Sequence, residues 1–301
     1  MKLKSKSVRA ILFPALILLM MLAAFPVKVN ASTTVTFYST ASDGFVTTDD
    51  IANMTYAYIW ALSSGDYVGN ASTSFSLGQI VQGEETIYYG ISRAFLYFDT
   101  SELSGATIQS ATLSLYGRVD DTTVDFNITI QDGQPNYPHD PLQLGDYAKG
   151  NYSGNGGQFD TTGFTTSGYN SIILNDAGIS YINKKGTTKL CLRSDRDIAG
   201  TEVMLDNPEY VLTWSNEKGE GYKPKLTITY TLPPSTTMIN ILAPFLPLFA
   251  IGAAVGFIGL FFSIAAPEEL RSEQFMFVSL ITFISCGVCL VLLVVLNAMG
   301  V

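Results

Sequence analysis

The stretch LCLRSDRDIAGTE, residues 190–202, puts two arginines, two aspartates and a glutamate into thirteen positions. Guanidinium and carboxylate groups this close either neutralise one another as bidentate pairs that fix a loop, or present charge to a ligand. Leu190 and Leu192 alternate with Lys189, Cys191 and Arg193, so the segment enters as a strand with its leucines inward. Its charged part then runs into a loop, with Gly200 at a turn. The reading is a structural ion-pair loop built from Arg193, Asp195, Arg196, Asp197 and Glu202.

Other chemistry finds less to work with. A Ser-His-Asp arrangement would have to use His139, the only histidine, which sits in the loop YPHDPL behind no nucleophile-elbow motif and reads as a solvated loop residue. The many acids offer carboxylate pairs for glycoside cleavage, and none stands out. His/Cys ligand clusters are absent, which excludes structural zinc. Calcium takes carboxylates and carbonyls, and Asp43, Asp66, Asp120, Asp121 and Asp195 lie in loops that could supply them; acidic residues are ordinary in turns, so no cofactor is expected and an unlocated structural calcium is the alternative. No other cofactor is implied, and no residue is assigned as catalytic.

Aromatic residues say more. TYAYIWAL, 55–62, alternates Tyr56, Tyr58 and Trp60 with Ala57, Ile59 and Ala61, the pattern of a strand with rings on one face. Tyr and Trp combine an apolar face with a polar tip, which suits stacking on sugar rings. Arg93 joins that candidate glycan-binding face, with Phe95 and Tyr97, if its set of side chains points outward. Asn53, Asn70, Asn127 and Asn151 each head an Asn-x-Ser/Thr sequon and are candidate glycosylation sites on an exported chain.

Three unlike segments must position these residues. Residues 1–31 carry Lys2, Lys4, Lys6 and Arg9 before an apolar run and end in VNA, which reads as a secretory signal. Residues 32–233 hold 23 Asp and Glu against 11 Lys and Arg, a net charge of −12 that would repel phosphate backbones and excludes nucleic acid as a partner. With only Cys191, this part can form no internal disulfide and relies on its own core. Period-two alternation in SATLSLYG (110–117), VDFNITI (124–130) and KLTITYT (225–231) predicts half-buried strands, and SRAFLYFD (92–99), apolar on both faces, a more central one. LNDAGISYINKKG, 174–186, suggests a short helix between strands. The predicted fold is all-β, an antiparallel jelly-roll β-sandwich. After a linker at 234–238, the apolar segments 239–266 and 275–299 flank a cytoplasmic loop at 267–274 and predict a two-helix transmembrane hairpin. Gly252, Gly256 and Gly259 form a small-residue face for helix packing, against the second span or another copy of the chain. The CGVC at 286–289 lies in the second apolar span and reads as packing rather than redox chemistry. The cationic N-terminus then places the ectodomain and the C-terminus outside the cell membrane.

The segment ISRAFLYFDTSELSGATIQSATLSLYG, 91–117, resembles the most recognisable part of DNRLRE-type, disaggregatase-related domains, and TKLCLRSDRDIAGTE with GYKPKLTITY resembles their distal half. The likeness covers most of 34–231, although the literal string DNRLRE is missing. It implies a carbohydrate-binding-module-like jelly roll on an exported surface protein and transfers no ligand residues. The combined expectation is a membrane-anchored recognition or adhesion protein that binds polysaccharide or a surface glycan without cleaving it. The alternatives are a self-associating structural protein of an envelope or virion and, less favoured, a glycan-cleaving enzyme.

Overall fold

The computed structural model describes residues 32–48, 51–83, 85–233, 246–265, 279–284 and 286–288. The chain divides into two units, Ala31–Pro233 and the remainder. The first unit is mostly β, with few and short helices. Its strands are β1 (Ser32–Tyr38), β2 (Gly44–Thr48), β3 (Tyr67–Gly69), β4 (Ser74–Gln82), β5 (Tyr88–Asp99), β6 (Thr107–Thr122), β7 (Asn127–Gln131), β8 (Gln158–Asp160), β9 (Tyr169–Ile173), β10 (Thr187–Ser194), β11 (Glu209–Trp214) and β12 (Lys225–Thr231). All pair antiparallel in one curled sheet, a half-barrel whose main path runs β1-β12-β6-β11-β4-β5-β10-β7-β8.

Two long strands produce the curl. The first part of β6 pairs with β12 on one edge and β9 on the other, while its last part pairs with β11 across a register shift. On β5, Tyr88–Ser92 pairs with β4 and Ala94–Asp99 with β10, so β4 and β10 diverge from a fork at Arg93. The concave side holds the main core, with Leu96, Phe98, Leu113, Ile128, Leu190, Leu192, Val211, Leu226 and Ile228 among its members. Ile91, Phe95, Tyr97 and Cys191 point the other way into a second cluster, closed by Val46, Tyr56, Ile59, Leu142, Tyr147 and Tyr152. The apolar-both-sides reading of SRAFLYFD thus has its cause: β5 is covered on both faces.

Three short helices lie between strands, α1 (Tyr56–Ala61), α2 (Asp176–Ser180) and α3 (Asp195–Ala199). α2 falls within the segment expected to be helical. α1 replaces the strand expected over 55–62: the Thr55 hydroxyl accepts from the Tyr58 N–H as an N-cap, and Tyr56 and Ile59, three residues apart, are buried together. α3 replaces the expected loop after Arg193. Ser194 caps it, and Gly200 ends it in the left-handed conformation at φ +70°.

In the second unit, α4 (Leu246–Ala265) is a 20-residue helix without a charged residue. Its side chains are described without a break only from Ala250 to Phe262. Among the described residues no helix is long and apolar enough to cross a membrane, so the two-helix hairpin is not supported as a whole. A Cβ on Gly256 would sit 2.5 Å from the backbone nitrogen of Phe283, and one on Gly252 would sit 2.7 Å from Cys286 Sγ. Where both are described, α4 thus lies close to the second apolar segment at Gly252 and Gly256; Gly259 lies one turn further along α4. The signal at 1–31, the linker at 234–238, the loop at 267–274 and most of 275–299 lie outside the described residues.

Candidate functional site

Apart from Tyr58, the residues expected to bind glycan meet those expected to form ion pairs in one network with a buried centre. α3 sits at the fork between β4 and β10 and sends Asp197 inward, 1% exposed, toward two buried arginines. Arg93 donates to both Asp197 oxygens at 2.7 and 2.9 Å, and Arg193 donates to Oδ2 at 2.7 Å. Arg93 also donates to the Tyr147 carbonyl, and Arg193 to Gln131 Oε1 at 3.0 Å. Burial works against the Asp197 charge, but the two arginines outweigh it and hold this carboxyl well below the usual range. Removing one partner from such a buried pair costs about 3–5 kcal/mol.

The rest of the charged segment closes around this pair. Arg196 donates to the buried Glu209 at 2.6 Å rather than to a carboxylate of its own segment. Asp195 accepts from the backbone and side-chain amides of Asn127, both at 2.9 Å, and Glu202 accepts from the Tyr89 hydroxyl at 2.5 Å. The aromatic candidates join the same network. Tyr56 is buried and donates to Gln79 Oε1 at 2.6 Å, whose amide donates on to Glu209. The Trp60 indole N–H donates to the Asp197 carbonyl at 2.6 Å, under the Lys149 ammonium. Tyr58 alone of the three is exposed, at 51%. Arg93 does not reach the surface, and these four residues form no common outward face. Helical rather than strand geometry in α1 separates them.

His139 bonds through Nδ1 to Asp146 at 2.8 Å, while Asp146 also accepts from the backbone amides of His139 and Gln143. No hydroxyl or thiol among the described residues bonds to the ring's other nitrogen. Burial pushes the Cys191 thiol up to about 12. Among the described residues no group of three or more His, Cys, Asp or Glu is placed to hold a metal; of the calcium candidates, Asp43 is buried against Glu217 and Asp120 accepts from the Thr122 hydroxyl. Asn53 and Asn70 are exposed, whereas Asn127 and Asn151 are half-buried and engage their amides with Asp195 and Gly145.

A different surface gathers rings and cations. β1, β12, β6 and β9 present an outer face rich in hydroxyls: Thr34, Thr229 and Ser110 form one row, and Thr36, Thr227 and Thr112 the next, where the exposed Ile173 of β9 stands beside Thr112. The Thr34–Thr229 and Thr36–Thr227 hydroxyls bond at 2.9 and 3.1 Å, as do Ser114 and Ser171 at 3.0 Å. One end of this face is aromatic. Tyr116 packs on its cross-strand partner Tyr169 at 5.1 Å and on Tyr222 at 4.8 Å, and Tyr222 packs on Trp214 at 6.0 Å. Arg118 and Lys218 lie over Trp214 at 4.8 and 4.2 Å, and Lys225 lies over Tyr169 at 3.8 Å. The rings are half-buried, held from beneath by the strands and by bonds from the Tyr169 hydroxyl to the Gly221 and Lys223 carbonyls. Ser32 is the register partner of Thr231 and Tyr38 that of Lys225. The chain therefore enters and leaves the domain side by side, and the aromatic cluster stands at the opposite end of the sheet, roughly 20 Å away.

Alternation alone places Tyr116 and Trp214 outward, opposite Leu115 and Thr213. Their meeting with Tyr169 and Tyr222 depends on non-sequential strand pairing, which no local pattern encodes. No family model matches the chain, and no curated protein matches it.

Proposed function

We propose that the chain is a membrane-anchored extracellular recognition protein whose β domain binds polysaccharide or a surface glycan without cleaving it. The observation that carries this reading is the row of half-buried rings, Trp214, Tyr222, Tyr116 and Tyr169, at one end of a face rich in hydroxyls. Half-buried rings keep a fixed orientation and so lose little entropy on stacking, and rows of Ser and Thr both donate to and accept from sugar hydroxyls. The site moves from the Tyr56, Tyr58, Trp60 and Arg93 set to this face. The jelly-roll topology, the likeness to DNRLRE-type domains and anchoring through the uncharged α4 and the segment after it belong to the same proposal. So do N-linked glycans at the exposed Asn53 and Asn70. The test is binding of the full-length chain to a polysaccharide array. The double substitution Trp214→Ala and Tyr222→Ala is expected to weaken binding about tenfold or more at unchanged melting temperature. Undiminished binding would move the site elsewhere, and absence of binding to every polysaccharide would remove the glycan reading.

A self-associating surface protein is the second reading, favoured by one observation. β1, STTVTFY, is an edge strand without a charge or a proline, the kind of edge that pairs with another copy. Sedimentation of the full-length chain tests it.

A further inference from the structure

The aromatic end of the hydroxyl face has a charge that the domain as a whole does not. In a domain of net charge −12, Arg118, Lys218 and Lys225 gather within one chain of touching rings. None of the three has a carboxylate partner among the described residues. The neighbouring Lys223 does, bonding Glu220 at 2.8 Å. Glu217, next to Lys218 in sequence, turns its carboxyl toward the buried Asp43 instead of toward the cluster. Arg118 spends one N–H on the Ser74 hydroxyl, which leaves most of its donor edge free.

A cation lying on a ring is held by the ring's quadrupole, so it keeps its charge without a counter-ion. Such cations cover part of the stacking surface of Trp214 and Tyr169. A neutral sugar seated on those rings would have to displace them and gain no charge compensation. An anionic sugar would use them where they stand. We propose that the cluster selects acidic polysaccharide, with carboxylates or sulfates of successive sugar units on Arg118 and Lys218 at the Trp214 end and on Lys225 at the Tyr169 end. This rests on the glycan-binding reading above and names its substrate class.

The experiment compares four polymers on the full-length chain by affinity electrophoresis and calorimetry: polygalacturonate, dextran sulfate, neutral dextran and inorganic polyphosphate. The inference expects an acidic polysaccharide to bind about tenfold or more tighter than neutral dextran, and to weaken steeply from about 0.05 M to about 0.5 M salt. The triple substitution Arg118→Gln, Lys218→Gln and Lys225→Gln is expected to remove that preference while the melting temperature holds. Binding of dextran sulfate but not polygalacturonate supports the inference with sulfate as the anion, and the reverse supports it with carboxylate. Equal binding of neutral dextran, untouched by the triple substitution, overturns the acidic preference and leaves the glycan reading standing. Polyphosphate bound as tightly as either acidic polysaccharide overturns the inference in favour of a plain polyanion surface. No binding to any of the four overturns the inference, and the polysaccharide array then decides the glycan reading.

Discussion

Asp43 and Asp197 are both buried carboxylates, yet their surroundings drive them in opposite directions. Asp197 faces Arg93 and Arg193, which keep it ionised far into acid. Among the described residues no cation acts on Asp43. Burial pushes it up from 3.8 to about 7; the Ser39 hydroxyl pulls the other way, and the negative charge of Glu217 adds to the rise. Asp43 Oδ1 and Glu217 Oε2 are buried without a hydrogen-bond partner, and one shared proton would serve both. The linkage signs follow. A carboxyl lowered in the folded state stabilises it above the ordinary pKa, and that contribution is lost as pH falls, so Asp197 governs the acid limb below about 4. A carboxyl raised in the folded state binds its proton more tightly there than in the unfolded chain. Its stabilisation is therefore complete below 3.8 and lost as pH rises through about 7. Urea denaturation across that window is expected to show stability falling by a few kcal/mol between about pH 4 and about pH 7. In Asp43→Asn this decline should flatten. A wild-type profile already flat there, or an Asn variant with the same slope, would show that Asp43 ionises freely in the folded domain.

The elements show where a sequence speaks and where it falls silent. Strands β6 and β12 were legible because one face of each is buried and the period-two pattern is strict; β5 was legible as central because both faces are apolar. In TYAYIWAL the same alternation pointed to a strand, but six residues of mixed small and aromatic types satisfy a helical face equally well, and Tyr56 with Ile59 decides for the helix. The ion-pair segment was readable as framework, since charges of opposite sign were dense enough to meet. Its partners were not readable, because Arg93 and Glu209 arrive from distant strands. α3 ends at Gly200, where two constraints coincide: a φ of +70° and an indole so close that a Cβ would lie 2.8 Å from Trp60. Gly200→Ala is expected to cost about 1–3 kcal/mol, the left-handed penalty plus displacement of the Trp60 ring. Thermal denaturation reads the loss and the shift of Trp60 fluorescence reads the displacement. A variant as stable as the parent, with unchanged emission, would mean that α3 can end without this turn.

At the scale of the molecule, the two ends of the β domain lie together at Ser32 and Thr231, and both belong to the same margin of the sheet. β12 is covered there by β1, while the outer edge of β1 is open among the described residues. Natural edges are commonly guarded by a charge, a proline or a bulge, and the segment STTVTFY has none of these; Thr34 and Thr36 face outward beside a row of further hydroxyls. Nothing in the side chains opposes a second copy of β1 pairing antiparallel along it. The same sheet thus carries two separable properties, an aromatic cluster at one end and an unguarded edge along one side. Weak, concentration-dependent self-association of the full-length chain follows, and Thr34→Lys should suppress it by placing like charges across the paired edges. Because Thr34 lies toward the end remote from Lys225, that substitution should weaken polysaccharide binding far less than the Trp214 and Tyr222 double substitution. Sedimentation velocity of both proteins over a range of concentrations, in parallel with the array, decides the matter. If Thr34→Lys associates as its parent does, the contact lies outside β1. If the substitution abolishes glycan binding as well, edge pairing and recognition are a single function, and the ligand is held by the assembled pair rather than by one domain.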